Sequence, residues 1–307
     1  MSKTFNSFNP ATGEVVGRYP IMTPKEVATV VEQAREAADG WVKLGFSGRK
    51  KTLLAWSSYI INNVEQIAQL ISLETGKPLS DSRLEVFNTV NHIGWAARHA
   101  EEIMRTSHRA PGALMANMAA TVERSPLGVV GVIGPWNYPI FTPMGSIAYA
   151  LAAGNTVVFK PSEYTPGVGM WINESFNAIA PFSGIFTTIT GLGETGNALC
   201  TSTINKLSFT GSTRTAKLVA AACATQMTPV VLECGGKDPV IVAADAHIDR
   251  AVDATIWSAM ANAGQSCIGA ERVYVDEKVA DIFIEKAIAL ASTLTAAAPG
   301  EGNYGAS

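Results

Sequence analysis

A chain of 307 residues and 32.4 kDa can hold one large or two ordinary domains, each with a sizeable core. Hydrophobic residues make up 47% and charged residues 16%, with a mean hydropathy of +0.17, which excludes a disordered or fibrous chain and fits a well-buried α/β protein. A net charge of −3 offers no electrostatic footprint for nucleic acid or an anionic membrane. No apolar run approaches the ~20 residues of a bilayer span. The opening Met1-Ser2-Lys3-Thr4-Phe5-Asn6 lacks the apolar centre of a secretory signal, so the expected location is the cytoplasm.

Residues Asn9-Pro10-Ala11-Thr12-Gly13-Glu14 predict a turn between two short strand-like runs. Thr23-Pro24-Lys25-Glu26 forms a capping box with proline at the first helical position, where its missing N–H costs nothing. The helix it opens puts Val27, Val30, Val31, Ala34 and Ala38 on one face. A second helix runs through Leu53, Leu54, Trp56, Ile60 and Ile61, and a third through Ile67, Leu70, Ile71 and Leu73. Gly76 stops the third and Pro78 prevents its resumption. A fourth covers Leu84 to about Met104. The first hundred residues are thus a helical layer that needs a sheet to cover.

From residue 119 the pattern changes. Ala119–Glu123 and Gly128–Ile133 predict strands, the second apolar enough to be buried on both faces. Strand-like runs at Thr156–Lys160, Gly184–Thr190, Lys206–Thr210 and Pro229–Glu233 alternate with helical ones such as Thr215–Ala224, which means βαβ units and a parallel sheet. After Gly236 a new alternation begins: strand Pro239–Val242, helix Ile248–Ala263, strand Arg272–Val275, helix Val279–Thr293. The expected fold is α/β, with a Rossmann-like open parallel sheet over 1–235 and the start of a second α/β domain over 236–307. Ala296-Ala297-Ala298-Pro299-Gly300 is expected to be a loop.

None of Cys200, Cys223, Cys234 and Cys267 forms a C-x-x-C pair, so no zinc or other metal site is expected. Cys200 and Cys223 are expected to be reduced, buried and small-hydrophobe-like. Cys267 follows Asn262-Ala263-Gly264-Gln265-Ser266 at a helix–strand junction and is either a structural thiol or a nucleophile. Glu233 ends the run Pro229-Val230-Val231-Leu232 and is either a surface carboxylate or a partly desolvated base at the sheet edge. Asn137, bracketed by Pro135 and Pro139, is either a turn residue or an aimed amide. Lys160-Pro161-Ser162-Glu163 and Phe209-Thr210-Gly211-Ser212 also lie at strand ends, where open α/β sheets bind ligands.

Four segments in this order, Gly134-Pro135-Trp136-Asn137-Tyr138-Pro139, Phe209-Thr210-Gly211-Ser212, Leu232-Glu233-Cys234-Gly235-Gly236-Lys237 and Asn262 to Cys267, resemble the aldehyde dehydrogenase superfamily. The resemblance implies oxidation of an aldehyde through a thioester, with NAD as cofactor and NADP as the alternative. Cys267 is then the nucleophile, Glu233 the general base and Asn137 the oxyanion donor. It implies a cofactor groove lined by Ile133, Gly134, Trp136, Lys160, Ser162, Glu163, Gly193, Phe209, Thr210, Gly211, Ser212 and Leu232. Residues 1–235 become the cofactor-binding domain, with strand-like 114–131 in an oligomerisation arm, and 236–307 the first part of the catalytic domain. A carboxylate at Glu163 leans towards NAD, because it would repel a 2′-phosphate. The expected partners are a small aldehyde and, for a full-length member, further copies in a homodimer or homotetramer.

The chain departs from the family pattern in three places. Cys234 stands where many relatives have leucine, and Ala216 where the family form has a second glycine after Gly211. Forty residues follow Cys267, and none carries the Glu-x-Phe-Gly-Pro segment that holds the nicotinamide ribose in the family. A partial family member is therefore expected. Two alternatives stay open: a non-catalytic fragment that binds nucleotide, and a dehydrogenase that passes the acyl group to CoA, against which Glu233 argues. Met144, Met170 and Trp171 are either core or tunnel lining, and the identity of the aldehyde is not legible.

Overall fold

The computed structural model describes residues 3–296. Strands β1 (Thr4–Phe8) and β2 (Val15–Pro20) form an antiparallel hairpin around the Asn9 turn. Helix α1 (Pro24–Lys43) begins on the expected capping box, with both reciprocal bonds between Thr23 and Glu26 present, and buries Val27, Val31, Ala34 and Trp41. Helices α2 (Gly45–Asn62), α3 (Val64–Thr75) and α4 (Leu79–Met104) follow. Gly76 ends α3 at φ = 76°, a left-handed conformation that glycine adopts without a Cβ penalty.

Among the described residues, strands β3 (Ser107–Arg109) and β4 (Ala120–Val122) pair only with each other. The expected strand-like stretch 114–131 therefore divides. Ala113–Met115 is a single 3₁₀ turn, Ala120–Val122 belongs to this ribbon, and Val129 onward enters the main sheet. The three-residue β3 is too short for a period-2 signal to register.

The main sheet is parallel, with β5 (Val129–Ile133), β6 (Thr156–Lys160), β7 (Phe186–Thr188), β8 (Lys206–Gly211) and β9 (Val230–Cys234) in the order β7-β6-β5-β8-β9. Helices α5 (Phe141–Ala152), α6 (Pro166–Asn177), α7 (Gly193–Cys200) and α8 (Thr213–Ala224) connect the strands. Every residue of β5 and β6 is buried: β5 is the unbroken apolar run that requires it, and β6 buries the polar Thr156 and Lys160 at either end of Val157–Phe159. One face of the sheet packs Val130, Val132, Val157 and Phe159 against residues of α2, α4, α5 and α6. The other packs Val129, Val158, Leu207 and Phe209 against α1, α7 and α8. Met144 and Trp171 belong to the first of these cores.

The chain runs from β5 outward to β7 and then returns to the far side of β5 for β8 and β9. The reversal between β5 and β8 splays the following loops apart at the strands' C-terminal ends, a switch point that opens a crevice.

Beyond Gly236, β10 (Asp238–Val242) and β11 (Ala270–Val275) make a separate two-stranded parallel sheet, with α9 (Ile248–Met260) and α10 (Ala280–Ala291). Among the described residues its buried core is small: Val242, Val252, Ile256 and Phe283. Helix α9 stops at Met260, short of the expected Ala263. Asn262 and Ala263 have φ of 59° and 57°, and the chain turns through Ala261–Gly264 instead. The turn is held by a distant partner, since the Asn262 N–H donates to Asp81 Oδ2 at 3.0 Å.

Glu74 ties three of these elements together. Its carboxylate accepts from Ser7 Oγ in β1 at 2.7 Å and from the Gly167 and Val168 N–H groups at 3.0 Å each. Thr165, the N-cap of α6, makes no side-chain cap bond, so Glu74 supplies the capping acceptor from α3. Among the described residues no helix is long and apolar enough to cross a membrane, and no cluster of three or more His, Cys, Asp or Glu could hold a metal ion. The expected loop at 297–300 and the terminal stretch 302–307 lie outside the described residues.

Candidate active site

The crevice at the switch point is a cavity of about 1030 Å³ between the main sheet and the second unit. The end of β5 contributes Ile133, Gly134, Trp136 and Asn137, and the end of β6 contributes Lys160, Ser162 and Glu163. Phe209, Thr210, Gly211 and Ser212 line it from β8 and the start of α8, Gly193 from α7, and Gly264 to Cys267 from the second unit. Gly134 allows close approach of the β5 loop, because a Cβ there would stand 2.9 Å from the Phe159 ring.

Lys160 is buried, and its ammonium donates to the Pro161 carbonyl at 3.0 Å while Glu163 stands 4.0 Å away. Burial pulls its pKa below the ordinary lysine range, and the Glu163 carboxylate opposes that. Ser212 caps α8, its Oγ accepting from the Thr215 N–H at 3.2 Å. The partial positive charge of that helix start therefore faces the cavity. Ala216, where the family form has glycine, is buried in the core beneath α8, so its methyl group is accommodated there.

These features fit a dinucleotide. The Lys160 ammonium has donors to spare for ribose hydroxyls, the α8 N-terminus suits a pyrophosphate, and a Cβ on Gly193 would meet nothing within 4 Å.

Cys267 is a half-buried free thiol in the loop after the Asn262 turn, and its carbonyl accepts from the Gly236 N–H at 3.2 Å. Asn137 reaches this loop, its Nδ2 donating to the Gln265 carbonyl at 2.7 Å. Asn262 Nδ2 donates to the carbonyls of both Asn137 and Gln265 at 3.1 Å each. The oxyanion candidate and the thiol candidate thus sit on two loops stitched together by side-chain amides. Neighbouring Tyr138 hydrogen-bonds the Ser266 side chain, and burial raises its pKa. Cys200 and Cys223 differ in kind. Burial pushes the Cys200 thiol up to about 12 and also raises Cys223, so both are poor nucleophiles.

Two expected residues stand apart. The cavity lining includes Cys234 and Gly235 but neither Leu232 nor Glu233. Glu233 is exposed, not partly desolvated as its apolar run suggested, and Val231 and Leu232 are exposed with it. The cause is strand order, for β9 is the edge of the sheet. Register pairs Glu233 with Thr210, on the side where α5 packs against β5, β6 and β8. The stretch of β9 beside Glu233 stays open.

Sequence reasoning missed Lys77, Asp81 and Glu85, and read Asn262 only as part of the Cys267 segment; these four hold the Asn137 and Cys267 loops from behind. The one local signal was a lysine wedged between a helix-ending glycine and a proline.

A family model described as "Aldehyde dehydrogenase family" matches residues 1–306. The chain belongs to the aldehyde dehydrogenase family. It is 36% identical over 289 residues to a probable succinate-semialdehyde dehydrogenase [NADP(+)] of Sinorhizobium fredii, covering 92% of this chain and 57% of that protein. It is 36% identical over 294 residues to a glutarate-semialdehyde dehydrogenase of Pseudomonas putida, covering 95% and 61% respectively. The crystal structure of PnpE from a Pseudomonas species, solved also in complex with nicotinamide adenine dinucleotide, superposes with a TM-score of 0.93 at 34% identity, over 99% of this chain and 62% of that one. This aldehyde dehydrogenase chain therefore spans about three-fifths of the length of these relatives.

Proposed function

We propose that the protein oxidises an aldehyde to a carboxylic acid, with a nicotinamide dinucleotide as oxidant and an acyl thioester on Cys267 as intermediate. The observation that carries this reading is the bond between the Asn137 amide and the Cys267 loop, at one end of a cavity fit for a dinucleotide. A nicotinamide dinucleotide held there supplies the hydride acceptor that the oxidation needs.

The Cys267 thiolate adds to the aldehyde carbon, and the C=O pair moves onto oxygen to give a tetrahedral thiohemiacetal. The second N–H of the Asn137 amide, one being given to Gln265, is free to stabilise that oxyanion, an interaction worth ~3 kcal/mol in comparable sites. Loss of hydride from the same carbon leaves the thioester. Glu233 then takes a proton from water, the water oxygen adds to the thioester carbonyl, and the Cys267 thiolate leaves. The balance is aldehyde, water and oxidised dinucleotide in, and acid, reduced dinucleotide and a proton out.

Lys160 and Glu163 are proposed to hold the adenosine ribose, and the Glu163 carboxylate favours NAD over NADP. The aldehyde is proposed to be a small one, with the semialdehydes of the two bacterial relatives as first candidates. Oligomerisation, as a homodimer or homotetramer in the cytoplasm, is proposed to use the β3–β4 ribbon, which exposes Leu114, Met115, Met118 and Val122. A second reading, dinucleotide binding without turnover, draws on the place of Glu233 outside the cavity lining.

The test is reduction of NAD or NADP by the purified protein with a panel of aldehydes including succinate and glutarate semialdehydes, with and without CoA. The Cys267→Ala variant serves as control. Turnover independent of CoA and lost in C267A, with NAD still bound, is expected. NAD binding without turnover would favour the second reading, and turnover surviving in C267A would move the nucleophile elsewhere.

A further inference from the structure

Asn137 lies in the irregular stretch between β5 and α5, so nothing periodic fixes its backbone. What fixes it is a charge pair outside the cavity. The Lys77 side chain has no solvent exposure, and its ammonium donates to Glu85 Oε2 at 2.7 Å and to the Asn137 carbonyl at 2.6 Å. The same ammonium sits 4.5 Å from the centre of the Tyr138 ring. Glu85 uses its other oxygen, Oε1, to accept the N–H groups of Ile140 at 3.0 Å and Phe141 at 3.1 Å. One ion pair thus grips the Asn137–Phe141 segment at its carbonyl, its ring and two of its amides.

The grip is itself anchored. Gly76 turns the chain out of α3, and Ser72 Oγ donates to the Lys77 carbonyl at 2.7 Å. A buried ion pair is weak evidence of stabilisation, because desolvating both charges offsets most of their attraction. This pair directs its remaining hydrogen-bonding capacity to the loop that carries the oxyanion candidate and to the first N–H groups of α5, into which that loop runs.

We infer that Lys77, held by Glu85, is a positioning residue that sets the Asn137 amide beside Cys267. The inference rests on the proposed role of Asn137 as oxyanion donor. Without Lys77, the Asn137 carbonyl keeps a single donor, Asn262, and its peptide is free to rotate, carrying the side-chain amide with it. A shift of ~1 Å in such a group slows reaction by about a hundredfold.

The test is single-turnover formation of reduced NAD in the double variant K77M/E85Q, compared with N137A and with the triple variant. K77M/E85Q removes both charges together, and the amide oxygen of the introduced glutamine still accepts from the Ile140 and Phe141 N–H groups. The expected result is a protein that binds NAD and aldehyde within about twofold of wild type while the acylation rate falls by about a hundredfold. Addition of N137A should cause no further loss, because both changes remove the same interaction. A merely structural role would instead weaken NAD binding and the rate together and add to N137A. K77Q/E85Q guards against misfolding of the methionine variant. It keeps polar pairing, but a glutamine side chain is too short to reach the Asn137 carbonyl, so a loss of about tenfold or more is expected. A rate within about threefold of wild type in either folded variant overturns the inference, as does full additivity with N137A. If N137A alone keeps the wild-type rate, the oxyanion assignment fails first and takes this inference with it.

Discussion

Glu233 and Glu74 are carboxylates in opposite environments, and each leads to a distinct prediction. Glu233 stands exposed on the edge strand, and its proposed task falls after hydride loss, when water must attack the thioester. Glu233→Gln is therefore expected to give a burst of reduced NAD followed by slow turnover, read by stopped-flow absorbance. Unchanged steady turnover without a burst would remove Glu233 from the mechanism. Glu74 is buried, and desolvation raises its pKa against the opposing bonds from Ser7, Val168 and Gly167. A raised carboxyl pKa means that the folded protein holds this proton more tightly than the unfolded chain. Its contribution to stability is then greatest below the unfolded value of 4.5 and is lost as pH rises through the folded value. The melting temperature of wild type relative to Glu74→Gln should accordingly fall over the interval that begins at the unfolded value of 4.5 and runs upward. A difference that rises over that interval would show that the hydrogen bonds outweigh burial.

At the scale of elements, the joints between helices and strands do more for the site than the elements themselves. Gly76 is the joint between α3 and α4 and fixes where Lys77 begins, at a φ of 76° that a side chain resists. Gly76→Ala is expected to cost about 1 kcal/mol in urea unfolding. If the inference about Lys77 holds, G76A should also slow acylation more than it weakens NAD binding. Joints also mark where local pattern was and was not enough. The Thr23 capping box and the Gly76 stop were legible because each is closed by residues within a few positions. The end of α9 was not. Ile248 to Ala263 keeps a helical pattern throughout, yet the chain turns at Asn262 because Asp81, Asn137 and Gln265 capture its polar groups.

At the scale of the whole molecule, the five-stranded sheet and the two-stranded sheet beyond Gly236 are unequal in what they bury. The first has two large cores, one on either side. Among the described residues the second has four buried core residues, with partly buried ones packed against them, and exposes Ile241, Trp257, Ile268, Tyr274 and Ile288. A unit with so little buried apolar surface opens locally at low free-energy cost. Limited proteolysis should therefore cut first between Gly235 and the start of β10, releasing a resistant fragment that contains the main sheet. First cuts within α5 to α8 would contradict this ordering of stability.

The alternation of strands and helices, the burial of β5, and the family resemblance carried by the Asn137, Gly211, Glu233 and Cys267 segments were all legible in the chain, because they depend on residues close together along it. The three-dimensional arrangement was needed to make β9 an edge strand, so that the apolar run before Glu233 is exposed and the carboxylate is left in solvent. It was needed also to bring Lys77 to the Asn137 carbonyl and Asp81 to the Asn262 turn. Strand order and the contacts of buried charges join residues separated by tens to hundreds of positions, and no local periodicity or spacing encodes which of them will meet.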